Sequence, residues 1–390
     1  MPEIKRQIEG EKEYLIALRR EFHQHPELSL QEFWTASRIE EELDRFGIEH
    51  TRVGETGVLG TLRGEGRGDG VVVLRADIDA LPIQETNPEA YASQIDGVMH
   101  ACGHAAHAAC LLGAAKVLAK NKDAFGGEVR FVFQPAEEIG QGAKPFIEAG
   151  VLDGAKRVFG IHTASDIPSG SVGVKPGLNN ASVDHFRIVI HGKSSHVSTP
   201  QLGIDALYIA CQTVVALQAL VTRRTSPVEP LIIGVGKLNA GTTYNALAET
   251  AVLEGTTRAA SHETRAWVQN AVTRVVQNTA SDYGGTADIV WADFAAPLLN
   301  DPEVCVEVSD VADGLWGEGC AVAARPLSLA GDNFAEFLRH LPGAYAYLGT
   351  GNPDLPGTVN PAHNGNFDID ENALVLGASL YAGVVLKYLA

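Results

Sequence analysis

The chain has 390 residues, of which 45% are hydrophobic. This is enough to bury a sizeable interior and more than one ordinary core accommodates, so we expect two domains. The 48 acidic residues outnumber the 30 basic ones, and the resulting formal charge of −18 opposes binding to nucleic acids or to anionic membranes, which we exclude as partners.

The N-terminal segment and the cysteines favour a cytoplasmic location. The first 22 residues are charged and lack the apolar centre of a signal peptide. No run approaches the roughly 20 apolar residues of a membrane span. The five cysteines are scattered and odd in number, which argues against a disulfide framework and leaves room for one special thiol.

The elements predicted in the first half of the chain alternate between helices and buried strands. The predicted helices cover 13–46, with a break near Pro26, then 106–120 and 143–150. Short apolar runs typical of buried strands cover 70–77, 128–134 and 157–162. This alternation is typical of an α/β domain around a largely parallel sheet.

The order of predicted elements changes in the middle of the chain. Between 183 and 294 it becomes strand, helix, strand, strand, helix, strand, the βαββαβ order of a ferredoxin-like unit. After residue 300 the first pattern resumes. We therefore expect a discontinuous α/β domain built from 1–182 and 295–390, with the ferredoxin-like domain inserted as a lid.

Potential ligands and acids follow several of the predicted strands. Asp77 ends the first strand and Asp79 follows it, Glu137 and Glu138 follow the second, and His162 ends the third. Sites in open α/β sheets assemble beyond the carboxyl ends of the strands. We expect these side chains to converge there.

A cysteine and a histidine stand at the start of an alanine-rich helix. The Cys102 thiolate and the His104 imidazole together suit Zn, Co, Ni or Mn, and the glycine between them lets the backbone turn both side chains to one point. Taken alone, the pair is better explained as a small buried thiol and a helix-capping histidine. Combined with Glu138 and His162, a metal site is the better interpretation. The adjacent Glu137 and Glu138 are most commonly a solvated helix start, but after this strand one carboxylate can bind metal while its neighbour takes a proton.

Two more histidines are candidates for the same site. His363 lies in a loop before the last predicted helix, and His196 follows the first strand of the inserted domain. Both are equally well explained as loop histidines without a chemical role.

Six segments carry a family resemblance. They read "RADIDALPIQE", "MHACGH", "QPAEEIGQGAKPFIEAGVLDG", "GIHTASDIPSG", "GTTYNALAETAVLEGTTR" and "HNGNFDIDENAL". Together they resemble the M20 metallopeptidases, within them the amidohydrolase branch of aminoacylases, hippurate hydrolases and auxin-conjugate hydrolases. The resemblance implies an aminopeptidase-like catalytic domain with a lid that commonly mediates dimerisation. It also implies metal-dependent hydrolysis of the amide bond in N-acyl or N-aroyl amino acids or small peptide conjugates.

The resemblance also implies which residues bind metal. Carried over position by position, the ligands of two divalent ions (Zn, Mn, Co or Ni) are Cys102, His104, Glu138, His162 and His363. In the family layout Cys102 bridges the ions, with Glu138 and His363 on one ion and His104 and His162 on the other.

Further roles follow from the same resemblance. Glu137 is the expected general base toward a water activated by the ions and then the proton donor to the leaving amine. Asp79 is expected to orient a metal ligand, and His196 to reach the reacting carbonyl oxygen, from its own or the opposite subunit. Asn245 and Arg258 are candidates for holding a substrate carboxylate, although Arg258 can equally form a salt bridge within the lid.

The chain departs from the family pattern at several positions. The family usually reads H-A-C-G-H-D, and Ala105 stands in place of the aspartate. If that carboxylate hydrogen-bonds a ligand histidine, its loss lowers metal affinity or activity about 10 to 100-fold. Compensation, specialisation, degeneration and engineering of this position all remain open. "GKSSH" for G-K-G-G-H, Gln201 for a frequent histidine and "GDNF" for E-D-F affect the expected substrate more than the fold.

Two other functions remain open at this point. Cys102 can be the nucleophile of a thiol amidase, activated by a nearby histidine. Alternatively, the loss of the aspartate at Ala105 leaves an impaired member that binds amino acid conjugates without hydrolysing them.

Overall fold

Both ends of the chain build one unit of the computed structural model, and the middle builds a second. The structure describes residues 2–322 and 327–390. Unit 1 contains the described residues among Met1–Asn179, Leu299–Pro326 and Asn333–Ala390, and unit 2 contains Asn180–Leu298 and Leu327–Asp332. Each unit has its own hydrophobic core. The short segment Leu327–Asp332, which we expected in the first domain, groups with unit 2.

The described residues form fourteen strands and ten α-helices. The strands are β1 (Glu49–Val53), β2 (Gly57–Arg63), β3 (Val71–Asp77), β4 (Glu128–Gln134), β5 (Ala155–Pro168), β6 (Val172–Gly173), β7 (Gly177–Asn180), β8 (Val183–His191), β9 (Leu231–Ala240), β10 (Thr250–Ala259), β11 (Thr286–Ala295), β12 (Leu298–Asn300), β13 (Ala321–Val322) and β14 (Gly343–Gly351). The helices are α1 (Pro2–Gly10), α2 (Lys12–Gln24), α3 (Phe33–Phe46), α4 (His104–Lys120), α5 (Ala143–Glu148), α6 (Ala206–Ala219), α7 (His262–Asp282), α8 (Pro302–Trp316), α9 (Phe334–Leu338) and α10 (Ala373–Leu389).

Unit 1 is organised around a mixed sheet of eight strands. Their order is β1-β2-β4-β3-β5-β14-β6-β13, with β4, β3, β5 and β14 parallel to one another. The central strands are almost fully buried, which explains why they read as continuous apolar runs. The predicted strands correspond to β3, β4 and the first half of β5, which continues to Pro168.

Helices α4 and α10 lie inside unit 1 and are buried on nearly every side. Small residues let them pack closely, since a Cβ at Gly377 would lie 2.7 Å from the sulfur of Cys110. The alanine-rich sequence of α4 is therefore that of a helix with no solvent-exposed face.

The N-terminal region forms three helices. The predicted helix over 13–46 is α2 and α3, with the expected break between them. Glu27 in this break accepts hydrogen bonds from the backbone N–H groups of Trp34 and Thr35 and so caps the start of α3. Helix α1 was missed because its sequence is mostly polar or charged, and only Ile4 and Ile8 are buried.

Unit 2 contains four antiparallel strands and two helices in the chain order βαββαβ. The strand order across the sheet is β11-β8-β10-β9. Buried residues of β8 alternate with more exposed ones, and Phe186, Ile188 and Ile190 join the core that α6 and α7 cover. One face of the sheet is thus packed by its helices.

Helix α6 corrects one expectation. It continues into a π-helical segment, Leu220–Arg224, and the stretch Ala206–Arg224 is long and apolar enough to cross a membrane. The prediction that no run approaches such a length is therefore wrong. Within unit 2 this stretch acts as a packing helix, since Ile209 and Leu217 are buried in the core, although only 33% of its most apolar window is buried.

Candidate metal centre

The five predicted ligands lie together at the carboxyl ends of the central strands of unit 1. The ligand atoms of Cys102, His104 and His162 all lie within 4.8 Å of one another, and the same is true of Cys102, Glu138 and His363. The two groups share the sulfur of Cys102. Glu138 also links them, since its Oε1 lies 3.8 Å from His104 Nε2 and its Oε2 lies 3.4 Å from His363 Nε2.

The local backbone explains how two neighbouring side chains reach this point. Gly103 has φ 89°, in the left-handed region, and a Cβ there would collide with the hydroxyl oxygen of Thr163. It is followed by His104, the first residue of α4, and preceded by Cys102, whose sulfur lies 3.4 Å from His162 Nε2. A glycine is required at this junction.

Two buried atoms at the centre are suited to bind a cation. Among the described residues, neither Nε2 of His104 nor Oε1 of Glu138 has a hydrogen-bond partner. A buried polar atom without a partner costs about 1–3 kcal/mol, so folded proteins normally satisfy it. Sulfur, imidazole and carboxylate donors together accept Zn, Mn, Co or Ni. The residues present therefore fit a divalent metal ion.

The candidate ligands His104 and His162 have fixed orientations. The Nδ1–H of His104 donates to the carbonyl oxygen of Asp79 at 2.8 Å, and the Nδ1–H of His162 donates to the carbonyl oxygen of Thr163 at 2.7 Å. In each ring this leaves Nε2 facing the cluster. Such contacts select the tautomer that a metal ligand needs.

Asp79 contacts both sides of the cluster. Its Oδ1 lies 3.2 Å from His104 Nδ1, and its Oδ2 accepts the Ser29 hydroxyl at 2.7 Å and the backbone N–H of Glu138 at 2.9 Å. One buried carboxylate thus connects two candidate ligands to the loop between α2 and α3.

Glu137 lies beside the candidate ligands and is held by a distant loop. One of its oxygens lies within 4.8 Å of ligand atoms of His104 and Glu138, and its Oε1 accepts the backbone N–H of Asn333 at 3.2 Å. The side chain of Asn333 in turn accepts hydrogen bonds from Arg75 at 2.9 Å and from Gln134 at 2.9 Å. Sequence reasoning singled out "GDNF" only as a departure and missed Asn333, because nothing in the sequence links it to Glu137.

A second buried cluster is a hydrogen-bond network and not an ion site. Ligand atoms of Asp77, His104 and His107 also lie within 4.8 Å of one another. However, Asp77 pairs with Arg75 at 2.5 Å and accepts the Nδ1–H of His107, whose Nε2 accepts the backbone N–H of Thr163. Burial lowers the pKa of His107, as expected for a neutral ring. Protein groups thus already occupy both ring nitrogens of His107.

The charges at the centre influence one another. Burial and the nearby Glu138 raise the pKa of the Cys102 thiol well above its usual value. Burial alone would lower the pKa of His104, but Asp77 and Cys102 outweigh it and raise that pKa well above normal. A bound divalent cation favours the thiolate form of a coordinating cysteine, so metal binding at Cys102 would release the proton of its thiol.

The remaining predicted residues lie in unit 2. His196 is exposed, its Nδ1 accepting the backbone N–H of Ser198 at 3.1 Å, and Val197 donates its N–H to the carbonyl of Asn245 at 3.1 Å. The loops of His196 and Asn245 are therefore adjacent.

Arg258 lies apart from that pair of loops. It pairs with Ile232 at one end of the β9–β10 ladder, whereas the loop of Asn245 joins the two strands at the other end. The neighbouring carboxylate of Asp184 is bonded by Arg265 at 2.6 Å. Within one copy of the chain, Asn245 and Arg258 thus do not converge on one point.

Ala105 occupies the second position of α4 and is 2% exposed. The Nδ1 atoms of His104 and His162 are already hydrogen-bonded to the backbone carbonyl oxygens of Asp79 and Thr163. Neither of these two candidate ligands therefore depends on a carboxylate at position 105. Gln201, another departure, is exposed in unit 2.

The chain is similar to characterised hydrolases over nearly its full length. The family model described as peptidase family M20/M25/M40 matches residues 73–387. Thermostable carboxypeptidase 2 of Saccharolobus solfataricus is 39% identical over 390 residues, covering 99% of this chain and 98% of the relative. N-acetyl-L-cysteine deacetylase of Bacillus subtilis is 41% identical over 363 residues, covering 93% of this chain and 85% of the relative. The crystal structure of the YXEP protein of Bacillus subtilis, described as a dinuclear metal binding peptidase from the M20 family, has a TM-score of 0.83 at 36% identity and covers 98% of this chain and 99% of that one.

Proposed function

Because the chain belongs to peptidase family M20/M25/M40 and is a metallo-amidohydrolase of that family, we propose that it hydrolyses the amide bond of N-acyl or N-aroyl amino acids or of small peptide conjugates. The observation that carries the proposal is the pair of ligand groups that share Cys102, with Glu137 beside them. Relatives named as a carboxypeptidase and as an N-acetyl-L-cysteine deacetylase support this class of substrate.

The ligand groups support a site for two divalent ions. Cys102 would be a ligand of both ions, His104 and His162 would be ligands of one, and Glu138 and His363 of the other. Bound there, such ions supply a more acidic water and polarise the scissile carbonyl. The buried atoms of His104 and Glu138 that lack partners are the features that support this assignment most directly.

Glu137 is proposed as the general base. Its buried carboxylate would take a proton from the attacking water and pass that proton to the nitrogen of the leaving amine. The hydrogen bond from the backbone of Asn333 supports this role, since it fixes the direction of the carboxylate. Asp79 would keep His104 and Glu138 in position.

Unit 2 is proposed as a ferredoxin-like lid. Its βαββαβ order and its strand order β11-β8-β10-β9 support that assignment. The adjacent loops of His196 and Asn245 would contact the substrate together, with His196 directed to the carbonyl oxygen. Arg258 is distant from Asn245 along the sheet. It would therefore bind the same substrate carboxylate only from a different copy of the chain.

A homodimer formed through unit 2 and a cytoplasmic location are part of the same proposal. Leu207, Tyr208 and Val215 on α6 are apolar and 43%, 47% and 68% exposed, as expected of a face that a second copy covers. The charge of −18 supports a small-molecule substrate and no nucleic acid partner.

The test is an assay of the metal-reconstituted protein across N-acyl amino acids, N-aroyl amino acids and dipeptides. We expect hydrolysis of at least one class, and a loss of about 10²–10⁴-fold in kcat for Glu137→Gln. Glu148→Gln, on the exposed surface of α5, is the matched control and is expected to retain full activity. Inactivity on every substrate with every metal would contradict the proposal.

A thiol amidase is the second candidate function, because the sulfur of Cys102 lies 3.4 Å from His162. The raised pKa of Cys102 is unfavourable to it, since a nucleophilic cysteine needs a lowered pKa. The two functions differ in their dependence on metal ions.

A further inference from the structure

The loop between α2 and α3 supplies no candidate ligand, yet it contacts the turn that carries Glu137. In this loop the Oε1 of Glu32 accepts a hydrogen bond from the backbone N–H of Ala136 at 2.9 Å. Both residues are fully buried. Ala136 directly precedes Glu137 in the chain.

Ala136 has a backbone conformation that needs support. Its φ of 53° lies in the left-handed region, which is unfavourable for a residue with a Cβ. The carbonyl of Ala136 accepts the N–H groups of Gln141 at 3.0 Å and Gly142 at 3.2 Å, which closes the turn on that side. Glu32 ties the turn on its other side. Strained residues of this kind persist where the surroundings over-determine them.

We propose that Glu32 is a positioning residue that holds the strained turn at Ala136 and thereby aims the carboxylate of Glu137. This inference rests on the proposed function, in which Glu137 is the general base. Glu32 is not among the candidate ligands, and it acts through the backbone of Ala136.

Other residues provide the hydrogen bonds that stabilise the neighbouring helix and the candidate ligand Glu138, so the role of Glu32 can be tested separately from general stability of the fold. The start of α3 is capped by Glu27, through the N–H groups of Trp34 and Thr35, and not by the side chain of Glu32. The backbone of Glu138 is held separately, by Asp79. Loss of Glu32 is therefore expected to misdirect Glu137 and to leave the metal ligands in place.

The primary test compares Glu32→Leu with Glu32→Gln in the metal-loaded enzyme. Glutamine keeps an acceptor oxygen for the N–H of Ala136, and it resembles the neutral form that burial of Glu32 favours by raising its pKa. We expect Glu32→Leu to lower kcat about 10 to 100-fold with little change in KM, and Glu32→Gln to retain most of the activity. Metal affinity, measured by competition with a chromophoric chelator, should remain within about twofold for both variants.

A second change tests the strain directly. Glycine adopts a φ of 53° without penalty, so adding Ala136→Gly to Glu32→Leu is expected to restore part of the lost kcat. If Glu32→Leu does not fold, Glu32→Asp replaces it, since its shorter side chain withdraws the acceptor from Ala136. The same partial recovery by Ala136→Gly is then expected.

The control is Glu27→Ala, which removes two hydrogen bonds from the same loop without touching the turn at Ala136. It should lower stability and leave kcat unchanged. Undiminished kcat in Glu32→Leu, or parallel loss of kcat and metal affinity without recovery by Ala136→Gly, would overturn the inference. Full activity of Glu137→Gln would instead contradict the proposed function itself.

Discussion

The ring of His107 accepts a hydrogen bond at Nε2 from the backbone N–H of Thr163 at 2.8 Å. Thr163 directly follows the candidate ligand His162, and its hydroxyl donates to the carbonyl of Cys102 at 3.1 Å. The other ring nitrogen of His107 is bonded to Asp77. A buried network thus ties the peptides of two candidate ligands to a strand of the central sheet.

We predict that His107→Leu weakens metal binding. The substitution leaves the N–H of Thr163 without its acceptor, which is expected to destabilise the protein by about 1–3 kcal/mol. Metal affinity should fall about 10 to 100-fold, as is usual when the residues that orient ligands are removed. Chelator competition measures the affinity, and His340→Leu, at an exposed position, is the control. Unchanged metal affinity would show that the network does not position His162.

We predict a larger effect for Asp79→Asn than for Ser29→Ala. The Oδ2 of Asp79 accepts from Ser29 and Glu138 while Oδ1 faces His104, and an amide has an acceptor on one side only. Asp79→Asn should therefore lower metal affinity about 10 to 100-fold. Ser29→Ala removes one of these contacts and should cost less than about tenfold. Equal effects of the two substitutions would argue against the role of Asp79 as the common support.

We predict that Ala105→Asp changes kcat/KM by less than about tenfold. The Nδ1 atoms of His104 and His162 already have hydrogen-bond partners. A new carboxylate at this buried position is therefore not needed to orient either of these two histidines. The same substrate panel serves for both proteins. A gain of more than about 100-fold would instead indicate that the chain with Ala105 is an impaired member of its family.

The buried pair of Arg19 and Asp368 predicts a pH-dependent contribution to stability. Burial would raise the pKa of Asp368, but Arg19, whose Nη2 lies 2.6 Å from its Oδ1, outweighs burial and lowers it below the ordinary value of 3.8. The pair therefore stabilises the fold fully above the unfolded-state pKa, and this stabilisation is lost as the pH falls through the folded-state pKa.

Asp368→Asn isolates this contribution. At pH 7 the substitution should cost about 3 kcal/mol, because it removes the shorter of the two ion pairs that the structure describes for the buried Arg19 and leaves the longer one to Glu371, at 3.3 Å. The difference in free energy of unfolding between the two proteins should stay constant from neutral pH to about pH 5 and narrow below about pH 4. Urea titrations across this range measure it, and a difference that widens on acidification would contradict the assignment.

The α/β class and the central strands were predictable because buried parallel strands have continuous apolar sequences, as in β3 and β4. The convergence of Glu138 and His162 followed from the position of each residue at a strand end. The contacts of Glu32, Asn333 and His107 were not predictable, because their partners are distant along the chain and each contact depends on a loop or a tautomer that no local pattern specifies.

The most direct test of the central claim is a metal titration of the chelator-treated protein, with hydrolysis of an N-acyl amino acid as the readout. The account predicts no activity without metal, recovery with Zn, Mn, Co or Ni, and a plateau at about two equivalents per chain. Alkylation of the exposed Cys211 should leave the recovered rate unchanged. Full activity of the metal-free protein, abolished by alkylation of Cys102, would contradict the metal-dependent mechanism and establish a thiol amidase in its place.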